Sequence, residues 1–200
     1  MFLIGITGGS GAGKTTALKT LGSLGALILD ADRIYHELLE SCAEMKAEIA
    51  ARWPDVLADG GIDRKKLGAI VWNDPAALLE LNAISHKYVD DEITGQLKGW
   101  EASGGTVAAI DAIALIESGI ARRCDAVVGI TAPMETRIAR IISRDNLTRE
   151  QAEMRINAQK PPAFFEENCD YMLNGRYETA LEFEEACRVF FKELLRQKQL

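Results

Sequence analysis

The chain has 200 residues, of which 48% are hydrophobic, and its formal net charge is −7 at pH 7. This length supports one sizeable α/β core, with room for a small inserted subdomain. The acidic balance and the absence of a basic tail disfavour nucleic acid as a main partner, and no apolar run approaches the length needed to span a membrane.

The chain opens with a short apolar run, a glycine-rich loop and an amphipathic helix. Residues Phe2–Thr7 predict a buried strand and Lys14–Leu24 a helix, and residues 8–15 between them match the P-loop pattern Gly-x-x-x-x-Gly-Lys-Thr at every position. Loop amides and a helix N-terminus both favour an anion, so we expect this segment to bind the phosphates of ATP. The expected nucleotide ligands are Gly8, Gly9, Ser10, Gly11, Ala12, Gly13, Lys14, Thr15 and Thr16.

Further apolar strands alternate with helices along the chain. This alternation predicts an α/β fold, a three-layer P-loop NTPase or kinase with a five-stranded parallel sheet. The four later strands are expected at Ala26–Leu29, Val107–Ile110, Ala126–Thr131 and Asp170–Leu173. The four cysteines are scattered without a Cys-x-x-Cys pair, so we expect reduced structural thiols in a cytoplasmic protein rather than a zinc site.

Aspartates follow two of these strands. Asp30 and Asp32 follow the second strand, and ligands of open α/β sheets bind outside the carboxyl ends of the strands. One of the two could accept the proton of an attacking hydroxyl while the other caps the next helix or holds Mg²⁺; we favour Asp32 as the base. Asp111, which follows the third strand, resembles a Walker-B carboxylate and is a candidate to hold Mg²⁺ together with Thr15, although aspartates commonly end strands.

The long interval 33–104 is interpreted as an all-helical insertion that could cover a second substrate. Asp63 is expected to cap one helix, and the Asn-Asp-Pro sequence at 73–75 to begin another. A third helix is expected from about His86 to Trp100.

Residues Pro133–Gln159 predict a helical pair that could close over ATP, as part of a lid expected at 133–165. A capping box at Thr148 predicts a break near Asp145–Leu147. Between Lys98 and Lys160 every cationic side chain is an arginine, whose planar fork suits phosphate oxygens; the alternative is a solvated face paired with glutamates. On one face lie Arg137, Arg140 and Arg144, of which we favour Arg144 because it is near the apex.

The last helix, from about Glu178 to Gln197, is interpreted as structural. The side chains expected to be buried are Leu181, Ala186, Val189, Phe190 and Leu194.

Taken in order, several segments resemble the dephospho-CoA kinase family over nearly the whole chain. The resemblance is carried by IGITGGSGAGKTT, LGALILDADRIYHELLE, GGIDRKKLGAIVWNDPAALLELNAISH, RIISRDNLTREQAEMRINAQ and CDYMLNG. It implies transfer of the ATP γ-phosphoryl group to the 3′-hydroxyl of the dephospho-CoA ribose, the last step of coenzyme A synthesis. It also implies one P-loop kinase domain over 1–200, with a substrate subdomain at 33–104 and a lid at 133–165.

The resemblance also implies roles for particular residues. Asp32 matches the family's proposed base, and Arg140 and Arg144 match lid arginines near the phosphates. Arg64 and His86 match substrate-domain positions. The segment that ends at Asn174 matches one near the nucleotide base.

Three segments depart from the family pattern. Lys87 stands where the family usually has proline after histidine, and the run Ile113–Glu117 lacks the family's proline. The segment Lys160–Asn168 replaces a stretch that usually contains arginine. These departures concern contacts with the CoA portion of the substrate rather than the phosphate chemistry.

Two alternatives remain open at this stage. The first is another small-molecule P-loop kinase, similar to shikimate or gluconate kinase, although the helical insertion is larger than such substrates need. The second is a regulatory nucleotide-binding protein, although the chain lacks a guanine-reading Asn/Thr-Lys-x-Asp motif. A monomer is favoured, with no membrane partner.

Overall fold

The computed structural model describes residues 1–58, 61–112, 114–177 and 179–199. Within these residues the strands are β1 (Phe2–Gly8), β2 (Leu27–Asp30), β3 (Leu57–Ala58), β4 (Gly61–Ile62), β5 (Val107–Asp111), β6 (Ala126–Thr131) and β7 (Tyr171–Asn174). The helices are α1 (Lys14–Ser23), α2 (Ala31–Ser41), α3 (Ala43–Arg52), α4 (Arg64–Asn73), α5 (Pro75–Ala102), α6 (Met134–Asp145), α7 (Arg149–Asn157), α8 (Pro162–Asn168) and α9 (Ala180–Gln197).

The chain forms two compact units. The first combines Met1–Leu29 with Trp100–Leu200, and the second is Asp30–Gly99. The second unit coincides with most of the interval 33–104 in which a substrate subdomain is expected. Among the described residues, no helix is both long enough and apolar enough to cross a membrane.

The first unit is built on a five-stranded sheet in the order β2-β5-β1-β6-β7. The pairs of β1 with β5, β1 with β6 and β6 with β7 are all parallel. Every residue of β1 is buried, as expected for the central strand of a parallel sheet covered on both faces. The predicted α/β fold and its strands are confirmed, with boundaries shifted by one residue where they differ at all.

Aspartates extend two of the strand pairs at the amino end of the sheet. Asp125 precedes β6, and its carboxylate accepts from the Leu3 N–H at 2.8 Å. Asp170 precedes β7, and its carboxylate accepts from the Val127 N–H at 2.7 Å. Each side chain satisfies a backbone donor where the ladder begins, so the register is fixed at this end and the carboxyl ends are aligned for the site.

Helix α9 packs with α1 in a core against β1, β5 and β6. The buried stripe of α9 consists of Phe183, Cys187, Phe191 and Leu194. The prediction that Leu181 and Val189 are buried is wrong, since these side chains are 76% and 62% exposed. The reason is the helical phase: both positions lie off the stripe with four-residue spacing that begins at Phe183.

Helices α6 and α7 form a hairpin with its own apolar seam. Ile138 and Ile141 on α6 pack with Ala152 and Ile156 on α7. Helix α6 ends at Asp145, and the side chains of Thr148 and Gln151 form the reciprocal capping box that begins α7. The predicted break between the two helices is confirmed.

The second unit has a core of its own, formed by α2 to α5. Asp63 caps α4, as predicted, by accepting from the Lys65 and Lys66 N–H groups at 2.9 and 3.1 Å. The expectation of an all-helical insertion is wrong, because β3 and β4 form a two-stranded antiparallel sheet. The connection between these strands, residues 59 and 60, lies outside the described residues.

The expectation of a separate helix starting near His86 is also wrong. Helix α5 is continuous from Pro75 to Ala102 and begins after the predicted Asp74 cap, which accepts from the Ala76 N–H at 2.9 Å. A stripe of buried side chains continues past His86 without a proline or other helix breaker, so nothing ends the helix there. The members of this stripe are Ala77, Leu81, Ser85, Val89, Ile93 and Leu97.

Candidate active site

The P-loop runs from the end of β1 to the start of α1. Gly13 stands before the helix with φ 118°, a conformation that glycine adopts without strain. A Cβ at Gly8 would lie 2.2 Å from the Ile130 carbonyl oxygen, and one at Gly13 would lie 2.5 Å from the Phe183 ring. Only bare backbone therefore fits between the loop and the neighbouring β6 and α9.

The N-terminus of α1 is suited to an anion. Gly13 provides no side-chain cap, and no acidic residue lies in the first turn. The Lys14 ammonium turns back over the loop and donates to the Gly8 carbonyl oxygen at 2.8 Å. Thr15 and Thr16 lie in the same first turn, so the helix dipole, a fixed ammonium and two hydroxyls occur within one turn.

Asp111 lies at the carboxyl end of the sheet close to this loop. It ends β5 and is paired in register with Ile6 on β1, two residues before Gly8. Asp111 as a whole is half-buried, and its Oδ1 atom is fully buried. The structure therefore places the Walker-B-like aspartate and the P-loop at the same sheet edge, as predicted from the strand ends.

A cavity of about 330 Å³ opens beside the first half of the P-loop. Gly8 and Gly9 form one side, and the polar side chains of the lining are those of Glu117, Gln159 and Lys160. Two segments of the first unit depart from the family pattern, Ile113–Glu117 and Lys160–Asn168. Each contributes a residue, Glu117 and Lys160, to the lining of this cavity beside the loop. Ile113 lies outside the described residues.

Two polar side chains hold the loop at Ser10, and one of them, Gln159, also lines the cavity. Arg137 is 8% exposed and donates through Nε to the Ser10 carbonyl oxygen at 2.9 Å. Gln159 Oε1 accepts from the Ser10 N–H at 2.9 Å and from Arg137 Nη2 at 2.8 Å. Sequence reasoning placed Arg137 on the arginine face without assigning it to the site, and missed Gln159.

Arg140 joins the P-loop to the segment after β7. Its Nη1 donates to the Gly11 and Ala12 carbonyl oxygens at 3.2 and 3.3 Å, and its Nη2 donates to the Gly175 carbonyl oxygen at 2.8 Å. Asn174, the predicted base-reading residue, precedes Gly175, is exposed and accepts from the Arg176 N–H at 3.1 Å. Two predicted site residues, Arg140 and Asn174, are thus brought to the P-loop.

Arg144 is held at the far end of α6. It forms a two-point pair with Asp145, with Nε···Oδ1 and Nη2···Oδ2 both 2.8 Å, and its side chain is 58% exposed. Arg155 also contacts Asp145, and hydrogen bonds from these guanidinium groups lower the pKa of the Asp145 carboxyl to about 2. In this structure Arg144 is therefore bound to a carboxylate. The alternative of a surface ion pair is confirmed for Arg149, which pairs with Glu135 and Glu153.

The second unit carries the remaining predicted residues. Asp30 caps α2 by accepting from the Arg33 N–H at 2.9 Å, and Asp32 lies exposed in the first turn of that helix. The structure thus assigns the capping role to Asp30. His86 is exposed on α5.

Arg64, at the start of α4, has a neighbour that the sequence did not reveal. Its Nη2 lies 3.2 Å from His36 Nε2, and the His36 ring contacts the Tyr35 ring with centroids 5.3 Å apart. Burial raises the pKa of the Tyr35 hydroxyl, and the nearby Arg64 charge opposes that shift. Because α2 and α4 are distant in sequence, only the folded unit could show that Arg64 and His36 share a polar cluster.

A parallel sheet with a glycine loop, a lysine and a threonine after its central strand, joined to an arginine-bearing helical hairpin, defines a P-loop kinase. The model of the dephospho-CoA kinase family matches residues 2–178. The chain therefore belongs to the dephospho-CoA kinase family.

Individual comparisons agree with this assignment. A dephospho-CoA kinase of Geobacter sulfurreducens is 38% identical over 163 residues, which span 80% of this chain and 83% of that protein. A dephospho-CoA kinase from Campylobacter jejuni has a similar structure, with TM-score 0.71 and 25% identity over 98% of both chains. TT1252 from Thermus thermophilus matches with TM-score 0.81 and 29% identity over 96% of this chain and 97% of its own. The family and kinase fold predicted from the sequence are confirmed, in preference to the shikimate-like and regulatory alternatives.

Proposed function

We propose that this chain transfers the γ-phosphoryl group of ATP to the 3′-hydroxyl of the dephospho-CoA ribose, giving coenzyme A and ADP. The observation that carries the proposal is the P-loop geometry in a chain of this family. Bare backbone, an uncapped helix N-terminus and the Lys14 ammonium together offer fixed positive charge to phosphates. Positioning and electrostatics supply most of the catalysis in phosphoryl transfer.

The P-loop and Lys14 would hold the β- and γ-phosphates. Two oxygen-bearing side chains near the loop also fit Mg²⁺, which prefers oxygen ligands. The Thr15 hydroxyl lies in the first turn of α1, and the Asp111 carboxylate ends β5 at the same sheet edge. When bound there, Mg²⁺ would neutralise phosphate charge.

Asp32 would accept the proton of the ribose hydroxyl. Two observations support this choice between the neighbouring aspartates. Asp30 already serves as the cap of α2, whereas Asp32 projects from the first turn of the same helix with an exposed side chain. Arg64 and His86 would bind the acceptor, and His36, whose Nε2 lies 3.2 Å from Arg64 Nη2, would help to orient that guanidinium.

The two lid arginines would have different tasks. Arg140 already contacts the P-loop backbone and the Gly175 carbonyl oxygen, so it would fix the nucleotide pocket next to Asn174, which would lie near the base. Arg144 would reach phosphate only by leaving Asp145, which makes phosphate and the carboxylate competing partners for one guanidinium.

The proposal is tested by measuring ADP formation from ATP and Mg²⁺ with a panel of acceptors. The panel contains dephospho-CoA, shikimate, gluconate, nucleoside monophosphates and a blank without acceptor. Turnover confined to dephospho-CoA, with a product heavier by one phosphoryl group at the 3′ position, is the expected result. Turnover on another acceptor would overturn the substrate and retain the P-loop chemistry.

We further propose that the chain acts as a monomer in the cytoplasm. The cysteines that support a reducing compartment are all unpaired: Cys42, Cys124, Cys169 and Cys187. Light scattering coupled to size-exclusion chromatography should give a mass near 21.9 kDa. A dimer or trimer mass would contradict the monomer.

A further inference from the structure

Ser10, near the middle of the P-loop, has its backbone N–H, its carbonyl oxygen and its hydroxyl all bonded by two side chains of the lid segment. Its carbonyl oxygen accepts from Arg137 Nε at 2.9 Å, and its N–H donates to Gln159 Oε1 at 2.9 Å. The Ser10 hydroxyl accepts from Gln159 Nε2 at 2.8 Å. Because the same Gln159 oxygen accepts from Arg137 Nη2 at 2.8 Å, the three residues form one closed network.

The geometry fixes the orientation of the Gln159 amide. Its oxygen receives two donors, a backbone N–H and a guanidinium, while its nitrogen faces a hydroxyl that can accept. A flipped amide would place two donors against the NH₂ group, so only one orientation satisfies the network. Gln159 therefore has both amide atoms engaged by the protein.

Arg137 brings a buried positive charge beneath the loop. The side chain is 8% exposed, and burial lowers the pKa of its guanidinium. Among residues 1–58, 61–112, 114–177 and 179–199, no acidic side chain forms an ion pair with it; its two acceptors are the Ser10 carbonyl and the Gln159 amide oxygens. A buried cation with neutral acceptors is costly to fold and raises the local potential for an anion.

The two residues lie at the two ends of the same hairpin. Arg137 is in the first turn of α6, and Gln159 follows the end of α7. The hairpin is attached to the P-loop at this base, while its tip carries the Arg144–Asp145 pair. Closing motions of the tip would therefore take place about a base fixed at Ser10.

We propose that Gln159 and Arg137 act together as positioning residues for ATP. They hold the backbone and hydroxyl of Ser10 so that the turn Gly9–Gly11 keeps its shape before the phosphates bind. This inference rests on the proposed binding of ATP at the P-loop and adds a physical cause for the shape of the loop. Neither side chain is assigned contact with the reacting atoms.

The test replaces Gln159 with methionine, which keeps its length and volume but neither hydrogen-bonding atom. We expect the Kd for ATP and the KM for ATP to rise about 10- to 100-fold, because a displaced loop no longer matches the phosphates. The KM for dephospho-CoA should be unchanged. Gln151→Met is the matched control, since Gln151 lies on α7 and, among the described residues, its side chain accepts from the Thr148 N–H.

A second variant, Arg137→Lys, keeps the charge but lacks the planar fork that bonds two oxygens. If Gln159 and Arg137 act as one unit, the double variant should lose no more ATP affinity than the weaker-binding single variant. Thermal unfolding checks that each variant is folded. Should Gln159→Met fail to fold, Gln159→Asn, which is one methylene shorter, is measured in its place.

Two results would overturn the proposal. One is a folded Gln159 variant that binds ATP as tightly as the parent chain. The other is full additivity of the two substitutions, which would mean that the residues act separately. Calorimetric measurement of ATP binding distinguishes failure of this proposal from failure of the proposed function. If dephospho-CoA is not the acceptor, ATP binding by the parent chain and its variants can still be compared. If the parent chain binds no ATP, both proposals are overturned.

Discussion

The contact between the P-loop and α9 gives a stability prediction that can be worked out from the coordinates. In Gly13→Ala, two costs combine. The φ of 118° is strained for alanine, and the new Cβ would lie 2.5 Å from Phe183 Cε1 and 3.1 Å from Cδ1. Phe183 is 2% exposed and stacks on Tyr177 with centroids 5.7 Å apart, so the ring cannot move freely.

The two costs can be assigned separate magnitudes. A non-glycine residue at positive φ costs about 1–2 kcal/mol. Forcing extra volume into a packed core adds about 1–3 kcal/mol. We therefore expect Gly13→Ala to lower the free energy of unfolding by about 2–5 kcal/mol, which for a chain of this size lowers Tm by about 2–4 °C per kcal/mol.

Gly25→Ala is the matched control. Gly25 has φ 91°, yet a Cβ there would meet nothing within 4 Å, so this variant has the backbone cost alone. The assay is urea unfolding followed by far-UV circular dichroism for both variants. Phe183→Leu, alone and combined with Gly13→Ala, completes a double-mutant cycle, in which the smaller side chain should recover part of the loss. Equal losses in Gly13→Ala and Gly25→Ala would refute the reasoning, because the ring contact would then contribute nothing.

Three further predictions concern charged groups. Lys14→Ala should raise the Kd for ATP by about 10- to 100-fold in calorimetry, since a charge-assisted phosphate contact is lost; an unchanged Kd would contradict the P-loop role. Asp32→Asn should keep ATP affinity and lower kcat by about 10²- to 10⁴-fold, whereas Asp30→Asn should keep most turnover; equal kcat in the parent chain and Asp32→Asn would remove Asp32 as the base. Arg144 helps to lower the pKa of Asp145 to about 2, below the usual aspartate value of 3.8. The ionised carboxylate therefore stabilises the folded chain above pH 3.8, and this stabilisation is lost as the pH falls toward 2. The Tm of Asp145→Asn should therefore vary less with pH below about pH 4 than that of the parent chain, and identical curves would contradict the pair.

Local rules were sufficient for much of the fold. Strands were found at the apolar runs, three of which end at glycine or aspartate, and the cap at Asp63 and the capping box at Thr148 began helices where expected. These signals are read within about one turn of chain, so no tertiary contact is needed to interpret them. The P-loop is also a local signal, because eight consecutive positions specify it.

The wrong predictions concern features that tertiary packing determines. Nothing in the sequence near His86 distinguishes the middle of α5 from a helix start, and the buried stripe from Ala77 to Leu97 that keeps the helix continuous is set by tertiary packing, which for Ala77 and Leu81 is the core of the second unit. The short β3–β4 pair has two residues in each strand, too few for a period-two pattern to be detected. Leu181 and Val189 are apolar on an amphipathic helix, but the position of Phe183 against Gly13 sets which face is buried.

The three arginines of α6 show why residue type and spacing did not assign the site in full. Arg137, Arg140 and Arg144 share one helical face, and their sequence gives each the same five donors. They differ in the acceptors that the fold provides. Arg137 donates to the Ser10 carbonyl and Gln159 amide oxygens, and Arg140 donates to carbonyl oxygens of the P-loop and of Gly175. Arg144 donates to the Asp145 carboxylate.

This order of acceptors has a mechanistic consequence. Neutral oxygens hold the two arginines nearest the loop, so their positive charge stays available to an anion bound there. Arg144 shares the Asp145 carboxylate with Arg155, so in the proposed function it would bind phosphate only by exchanging that carboxylate for it. In the proposed function, the charge that attracts ATP would therefore lie at the base of the hairpin, and Arg144 at its tip would contribute when phosphate competes successfully with Asp145.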